Sequence, residues 1–394
     1  MDRLIGTNAM GVRLPIIKRG DDLVETIAEV FAKFVDQYEI KLDSKDVIGV
    51  TESLLARAQG NYVSLDDIKK DIEIKFGDEI SIVAPILSRN RFSNILKAIA
   101  KTGKKIKIFL SYPSDEVGNS IMDRYEIMRK NVNIYKDTLT EEDYLNLLGD
   151  MYLHPFTKVN YVELYKSMAV GDNIEILFSN NLDDIAERSE SILIANIHDE
   201  EYLKEFFTKK GIEVVYSLRD ILSQPIDGSG YNPDYGLYGS NLSSADSLKL
   251  FPRDAKQFVD ELQEAIFEKT GTRIEALVYG DGAFKDPIGR IWELADPVVS
   301  PGYTDGLEGV PNEVKLKYLA DNELKDLSGE EAIQAMKSKI QDKKPDSNTA
   351  ESLGTTPRKI TDLIGSLCDL VSGSGDKGTP VVYIKGYFDN YSND

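Results

Sequence analysis

Apolar side chains recur along the chain with two different periods. Leu23, Ile27, Val30, Phe31, Phe34, Val35 and Tyr38 fall three and four positions apart, which predicts an amphipathic helix over 21–39. Asp21 and Asp22 stand where its first free N–H groups want an anion. "DVIGVT" (46–51) reads as a buried strand and "ESLLARAQG" (52–60) as a short helix ended by Gly60. Between about 75 and 225, compact apolar runs ("EISIVAPIL", "KIKIFLSY", "IEILFS", "SILIANI", "IEVVYS") alternate with helical segments such as "NRFSNILKAIAKTG", "TEEDYLNLLGDMYL" and "DEEYLKEFFTKKG". That alternation predicts an α/β layer with at least some parallel strands.

Residues 226–252, rich in Gly, Ser, Asn, Asp and Pro, are expected to form a long loop. Helix 253–270 and strand 273–280 follow, and the strand runs into "GDGAFKDPIGRIW" (280–292). Residues 311–352 are charged and mostly helical, ending in "QDKKPDSNTAESLG". A helix over 357–371 and a terminal strand, "TPVVYIKGYF", close the pattern.

Composition removes several functions. A net charge of −20, from 47 basic and 67 acidic residues, argues against nucleic acid and against an anionic membrane as partners. No apolar run approaches the roughly 18 residues of a membrane span. "MDRLIGTNAM" has no basic stretch followed by an apolar one, and Cys368 is the sole cysteine, so a cytoplasmic location is expected. With His154 and His198 the only histidines, a four-ligand zinc site of nitrogen and sulfur donors cannot be built, and neither histidine sits in a catalytic motif. Any metal should be hard and oxygen-bound, Mn2+ or Mg2+.

Candidate chemistry falls in polar stretches beyond the strands. Asp246, Asp281 and Asp286 are carboxylates a divalent ion would use, and Arg290 suits a forked contact to phosphate or carboxylate; an Asx-turn with a solvated arginine is the structural alternative. Arg89 and Arg91 in "PILSRNRFSN" precede a helix whose N-terminus suits an anion. In "GTTPRKITD", Thr356 and Pro357 fit a helix start, from which Arg358 could reach a substrate carboxylate. Gly365, Ser366 and Cys368 are most simply read as small residues for close helix packing. "GSGDKGTP" (373–380) has neither the residue order nor the strand-to-helix context of a phosphate loop.

Four separated blocks resemble the γ-glutamyl ligases of the deazaflavin coenzyme F-420: "LPIIKRGDDLVETI" with "DVIGVTESLLARAQGNYV", "GLYGSNLSSADSL", "KDPIGRIW", and "TDLIGSLCDLVSGSGDKGTPVVYIKG". The resemblance implies that Asp286 is a metal ligand, that Gly289 and Arg290 shape the nucleotide end of a site, and that Asn241 and Asp246 complete it. It further implies GTP as co-substrate, an acid acceptor and L-glutamate as partners, and a homodimer. The chain departs from the family pattern at Pro287, where the family has threonine, and at Glu293, where it has a second arginine.

The expected fold class is α+β, with mixed β-sheets and flanking helices. A ligase-like core spans 1–77 and 226–394, including a charged excursion at 311–352, and an α/β segment spans 78–225. The expected activity is metal- and nucleotide-dependent amide formation between an acid and L-glutamate. Two alternatives are the same chemistry on another acceptor such as folate, and a non-catalytic nucleotide- or metabolite-binding protein.

Overall fold

The structure, a computed structural model, describes residues 4–148, 152–154, 157–281, 298–343, 359–372 and 377–393. It divides into two units, one holding the described residues up to Ala58 and those from Asp254 onward, the other Gln59–Arg253. Residues 59–77 and 226–253 thus belong with the α/β stretch.

In chain order, the first unit begins with β1 (Asn8–Val12), α1 (Leu23–Gln37), β2 (Val47–Thr51) and α2 (Glu52–Gln59). The second begins with β3 (Tyr62–Ser64), α3 (Leu65–Lys75), β4 (Glu79–Val83), α4 (Phe92–Ala100) and β5 (Lys105–Leu110). It continues with α5 (Arg124–Arg129), β6 (Leu139–Thr140), α6 (Glu141–Leu148), α7 (Tyr161–Lys166), β7 (Ile174–Phe178), α8 (Leu182–Glu187), β8 (Ser191–Ile194), α9 (Glu200–Lys209) and β9 (Val214–Ser217). A hairpin of β10 (Asn241–Ser244) and β11 (Ser247–Lys249) closes that unit. The first unit resumes with α10 (Ala255–Thr270), β12 (Glu275–Asp281), β13 (Val298–Tyr303), α11 (Leu316–Asp321), α12 (Gly329–Gln341), α13 (Ile360–Ser372) and β14 (Val381–Lys385).

In the first unit the sheet order is β1-β14-β2-β12-β13, with β2 and β12 parallel and the other pairs antiparallel. Its strands are apolar at successive positions because both faces are covered. Ile48, Val50, Ala276, Val278, Val381 and Tyr383 meet Ile27 and Phe31 of α1 and Val259 and Leu262 of α10. The alternate residues Val47, Leu277, Tyr279, Val382 and Ile384 meet Ile364 and Cys368 of α13. At Gly49 an added Cβ would collide with Cys368 Sγ, so α13 packs on β2 only because that position lacks a side chain. The α1 start is as expected: Asp22 is the N-cap and its carboxylate accepts the Glu25 N–H at 3.0 Å.

The second unit's large sheet has the order β6-β7-β5-β4-β8-β9, with β6 antiparallel at the edge and the other five strands parallel. All five apolar runs singled out in the sequence form its parallel strands. The chain lays β4, β5 and β7 outward in one direction, then returns to place β8 and β9 on the other side of β4. The reversal falls between β4 and β8, and ligands of sheets of this kind usually sit outside the carboxyl ends of the strands at such a point.

Residues 226–252 are only in part the long loop expected: 226–240 carry no helix or strand, and the rest folds as a hairpin. The stretch is tied down by two buried asparagines and ends in the β10–β11 hairpin, which joins β3 in a three-stranded antiparallel sheet. Asn61 Nδ2 donates to the Phe251 carbonyl at 2.6 Å, and its Oδ1 accepts the Tyr231 N–H at 3.0 Å. Asn232 Nδ2 donates to the carbonyls of Phe251 and Pro252, both at 3.1 Å. These side-chain bonds replace the apolar alternation that would have announced the strands.

Candidate functional site

In the first unit, β2 and β12 run parallel in the register Val278 to Val50 and Tyr279 to Thr51, so their carboxyl ends lie side by side. Glu52 follows β2 directly as the first residue of α2 and is only 2% exposed. Its side chain lies against Gly280: a Cβ built there would overlap Glu52 Cγ. A carboxylate is thereby held in a cradle that glycine keeps open, at the end of the strand leading into "GDGAFKDPIGRIW". An oxygen donor there suits a hard divalent ion and not a thiophilic one. Sequence reading missed Glu52 because it looks like an ordinary acidic residue opening a helix; its burial comes from the β2–β12 pairing.

Asp281 closes β12, where it pairs with Val298; its side chain is outside the described part of the structure. Asp286, Pro287, Gly289, Arg290 and Glu293 lie in 282–297, outside the described residues, as do Thr356, Pro357 and Arg358 in 344–358. Among the described residues no group of three or more His, Cys, Asp or Glu side chains is gathered as a metal site.

In the second unit two distant blocks of the sequence meet. Arg89 and Arg91 sit in the segment between β4 and α4, on the carboxyl side of the parallel sheet. Arg91 Nε donates to Asn241 Oδ1 at 3.0 Å, and the Leu242 N–H donates to the Asn90 carbonyl at 3.2 Å. Lys97, one turn into α4, donates to the Ala245 carbonyl at 3.3 Å and pairs with Asp246 at 3.5 Å. Asp246 itself occupies the β10–β11 turn with its side chain 74% exposed, where such an ion pair contributes at most about 1 kcal/mol.

Arg91 is the N-cap of α4 and supplies no side-chain cap; its own N–H donates to Ser88 Oγ at 3.0 Å. Arg89 is exposed, and its positive charge reaches His154 and Tyr161. His154 is buried, and that burial, reinforced by Arg89 and Lys158, holds its imidazole below the ordinary histidine value. Its Nδ1 accepts the Thr157 N–H at 3.2 Å, and the ring meets Tyr161 edge-on. His198 Nδ1 lies 2.7 Å from Glu116 Oε2. Both histidines thus have structural partners.

Lys249 was also missed. It is 8% exposed and stands directly opposite Asn241 on β10 and Tyr62 on β3. The alternation of "SLKLF" was its only signal, obscured by the Ser- and Gly-rich sequence before it.

Small residues of α13 behave as packing elements. Gly365, Ser366 and Cys368 are buried, and burial pushes the Cys368 thiol far above its ordinary range. No helix among the described residues is long and apolar enough to cross a membrane. The family model described as F420-0:gamma-glutamyl ligase matches residues 11–386. No curated protein matches the chain.

Proposed function

The chain belongs to the F420-0:gamma-glutamyl ligase family, and from that premise we propose that it joins L-glutamate to an acid acceptor through an acyl phosphate, using GTP and Mn2+ or Mg2+. The acceptor proposed is the family's own, the F420-0 carboxylate. The observation that carries the reading is the buried Glu52 carboxylate cradled by Gly280 at the paired ends of β2 and β12, immediately before Asp281. That donor environment fits a hard cation, with Asp281 and Asp286 as its proposed ligands. When bound, the ion neutralises phosphate charge and polarises the transferring phosphoryl group.

Carboxylates are poor electrophiles. In the proposed reaction an acceptor carboxylate oxygen takes the γ-phosphoryl group of GTP, releasing GDP. The glutamate amine then attacks the acyl carbon, the C–O bond to phosphate breaks, and the ammonium proton leaves to solvent. The protein's part in this reaction is to align anions and exclude water, chemistry that needs no cysteine or histidine nucleophile. Arg290 and Gly289 are assigned to the nucleotide phosphates. Arg89, Arg358 and the Arg91–Asn241 pair are assigned to substrate anions. A homodimer is proposed as the working assembly, and light scattering on the eluting protein tests it.

Incubation with Mn2+, GTP, L-glutamate and F420-0 should release phosphate only when all four are present. Release that is indifferent to omitting glutamate, or absent across a broad panel of acids, overturns the assignment.

A further inference from the structure

Among the described residues the chain passes from one unit to the other twice, at Ala58–Gln59 and at Arg253–Asp254. Both passages fall at helix ends: α2 finishes at Gln59, and Asp254 is the N-cap of α10. Gln59 and Arg253 are 194 residues apart in sequence, yet one side chain joins them. Gln59 Nε2 donates to the Arg253 carbonyl at 2.7 Å, and its Oε1 accepts the Arg253 N–H at 2.9 Å. The amide pairs with the Arg253 backbone as a neighbouring strand would, and it zips the outgoing chain to the returning one.

On the second unit's side this neck is anchored. Asn61, fully buried, accepts the Arg253 guanidinium and the Tyr231 N–H on Oδ1 and donates to the Phe251 carbonyl. The guanidinium also donates to the Tyr231 carbonyl at 3.3 Å and lies over the Tyr231 ring, 4.7 Å from its centre. Beside the bonded pair each strand of the neck makes one left-handed turn, at Gly60 (φ +64°) and at Asp254 (φ +54°). A helix N-cap is ordinarily extended and caps with its side chain; Asp254 does neither. It is held left-handed against the steric preference of an L-residue.

With its two connections bonded side by side, a unit can turn about that point but cannot slide or separate. Hinges are a few residues at element ends that absorb a change in φ and ψ while the elements stay rigid. Gly60 and Asp254 are placed for that role, each one peptide bond from the zipped pair.

We infer that the neck is a two-strand pivot: the units turn as rigid bodies about the Gln59–Arg253 pair, and Gly60 and Asp254 take up the change in backbone angle. Turning of this kind is how two-unit enzymes close on reactants and shed water. The inference stands on the neck itself and does not depend on the ligase reading.

Double electron–electron resonance on the full chain tests the pivot. Spin labels go on Lys33→Cys in the first unit and Lys209→Cys in the second, both exposed, and Cys368 is buried away from the label. Ile74→Cys with Lys209→Cys, two exposed positions within the second unit, is the control pair. The inter-unit distance distribution should be roughly two-fold or more wider than the control. Gln59→Leu, which removes both bonds to Arg253, should widen it further and leave the control pair unchanged. If Gln59→Leu does not fold by circular dichroism, Asp254→Gly takes its place, since glycine moves freely in and out of the left-handed region and should widen the distribution in the same way. An inter-unit distribution as narrow as the control, or a broad one indifferent to these changes, overturns the pivot.

Discussion

Replacing Gly280 by alanine is a direct probe of the cradle at the carboxyl ends of β2 and β12. The added methyl carbon would overlap Glu52 Cγ and come within 3.1 Å of Glu52 Cβ. Glu52 is 2% exposed, so its side chain cannot swing into solvent, and the neighbouring strands must move instead. Overpacking of this kind costs about 1–3 kcal/mol. Gly280 is not in the left-handed region, so no backbone strain adds to that cost. The reduced freedom of the unfolded chain returns about 0.4–1 kcal/mol. The net expectation for Gly280→Ala is a loss of roughly 0.5–2 kcal/mol. In a Glu52→Ala background the Cγ is gone and only the milder 3.1 Å contact with Cβ remains, so most of the penalty should vanish. Urea unfolding of the four proteins, followed by circular dichroism, completes a double-mutant cycle with an expected coupling of about 1–2 kcal/mol. Equal costs of Gly280→Ala in both backgrounds would show that the two residues do not share a cradle.

Three other outcomes are expected. Asn61→Ala takes the acceptor from the Tyr231 N–H and leaves the Phe251 carbonyl with Asn232 alone, so urea unfolding should show a loss of about 1–3 kcal/mol, with weakened substrate binding where the hairpin loosens. His154 has its value lowered by burial, then by Arg89 and Lys158, so the folded state favours the neutral ring. Its contribution is complete above the unfolded value of about 6.5 and is lost as pH falls through the folded value; wild type should therefore lose stability faster than His154→Gln between roughly pH 7 and pH 5. Cys368 is buried with its thiol shifted strongly upward. Iodoacetamide should leave it unmodified in the native protein and label it only on unfolding, and rapid native labelling would contradict the packing of α13 on Gly49.

Much of the architecture was legible because apolar periodicity is a local signal. The helix around Phe31, the five parallel strands of the second unit and strand β14 all formed where their patterns placed them, although Tyr38, counted on the helix's apolar face, is exposed. Elements held by polar contacts were not legible. Hairpin β10–β11 depends on Asn61 and Asn232, which act across 19 to 190 residues of sequence and leave no periodic trace. The same limit applies to the site. Arg91 and Asn241 were each visible as polar residues in suggestive places, but their contact spans 150 residues. Glu52 and Lys249 gained their significance only from strand pairing, which buried one carboxylate and one ammonium beside groups the sequence keeps far apart.

The mechanism is tested most directly by following a heavy oxygen isotope placed in the acceptor carboxylate. The protein, GTP, Mn2+, L-glutamate and labelled F420-0 are incubated together, and the released phosphate is weighed by mass spectrometry. Passage through an acyl phosphate transfers one labelled oxygen to each phosphate as the amide forms. Unlabelled phosphate accompanying a glutamylated product would contradict the account.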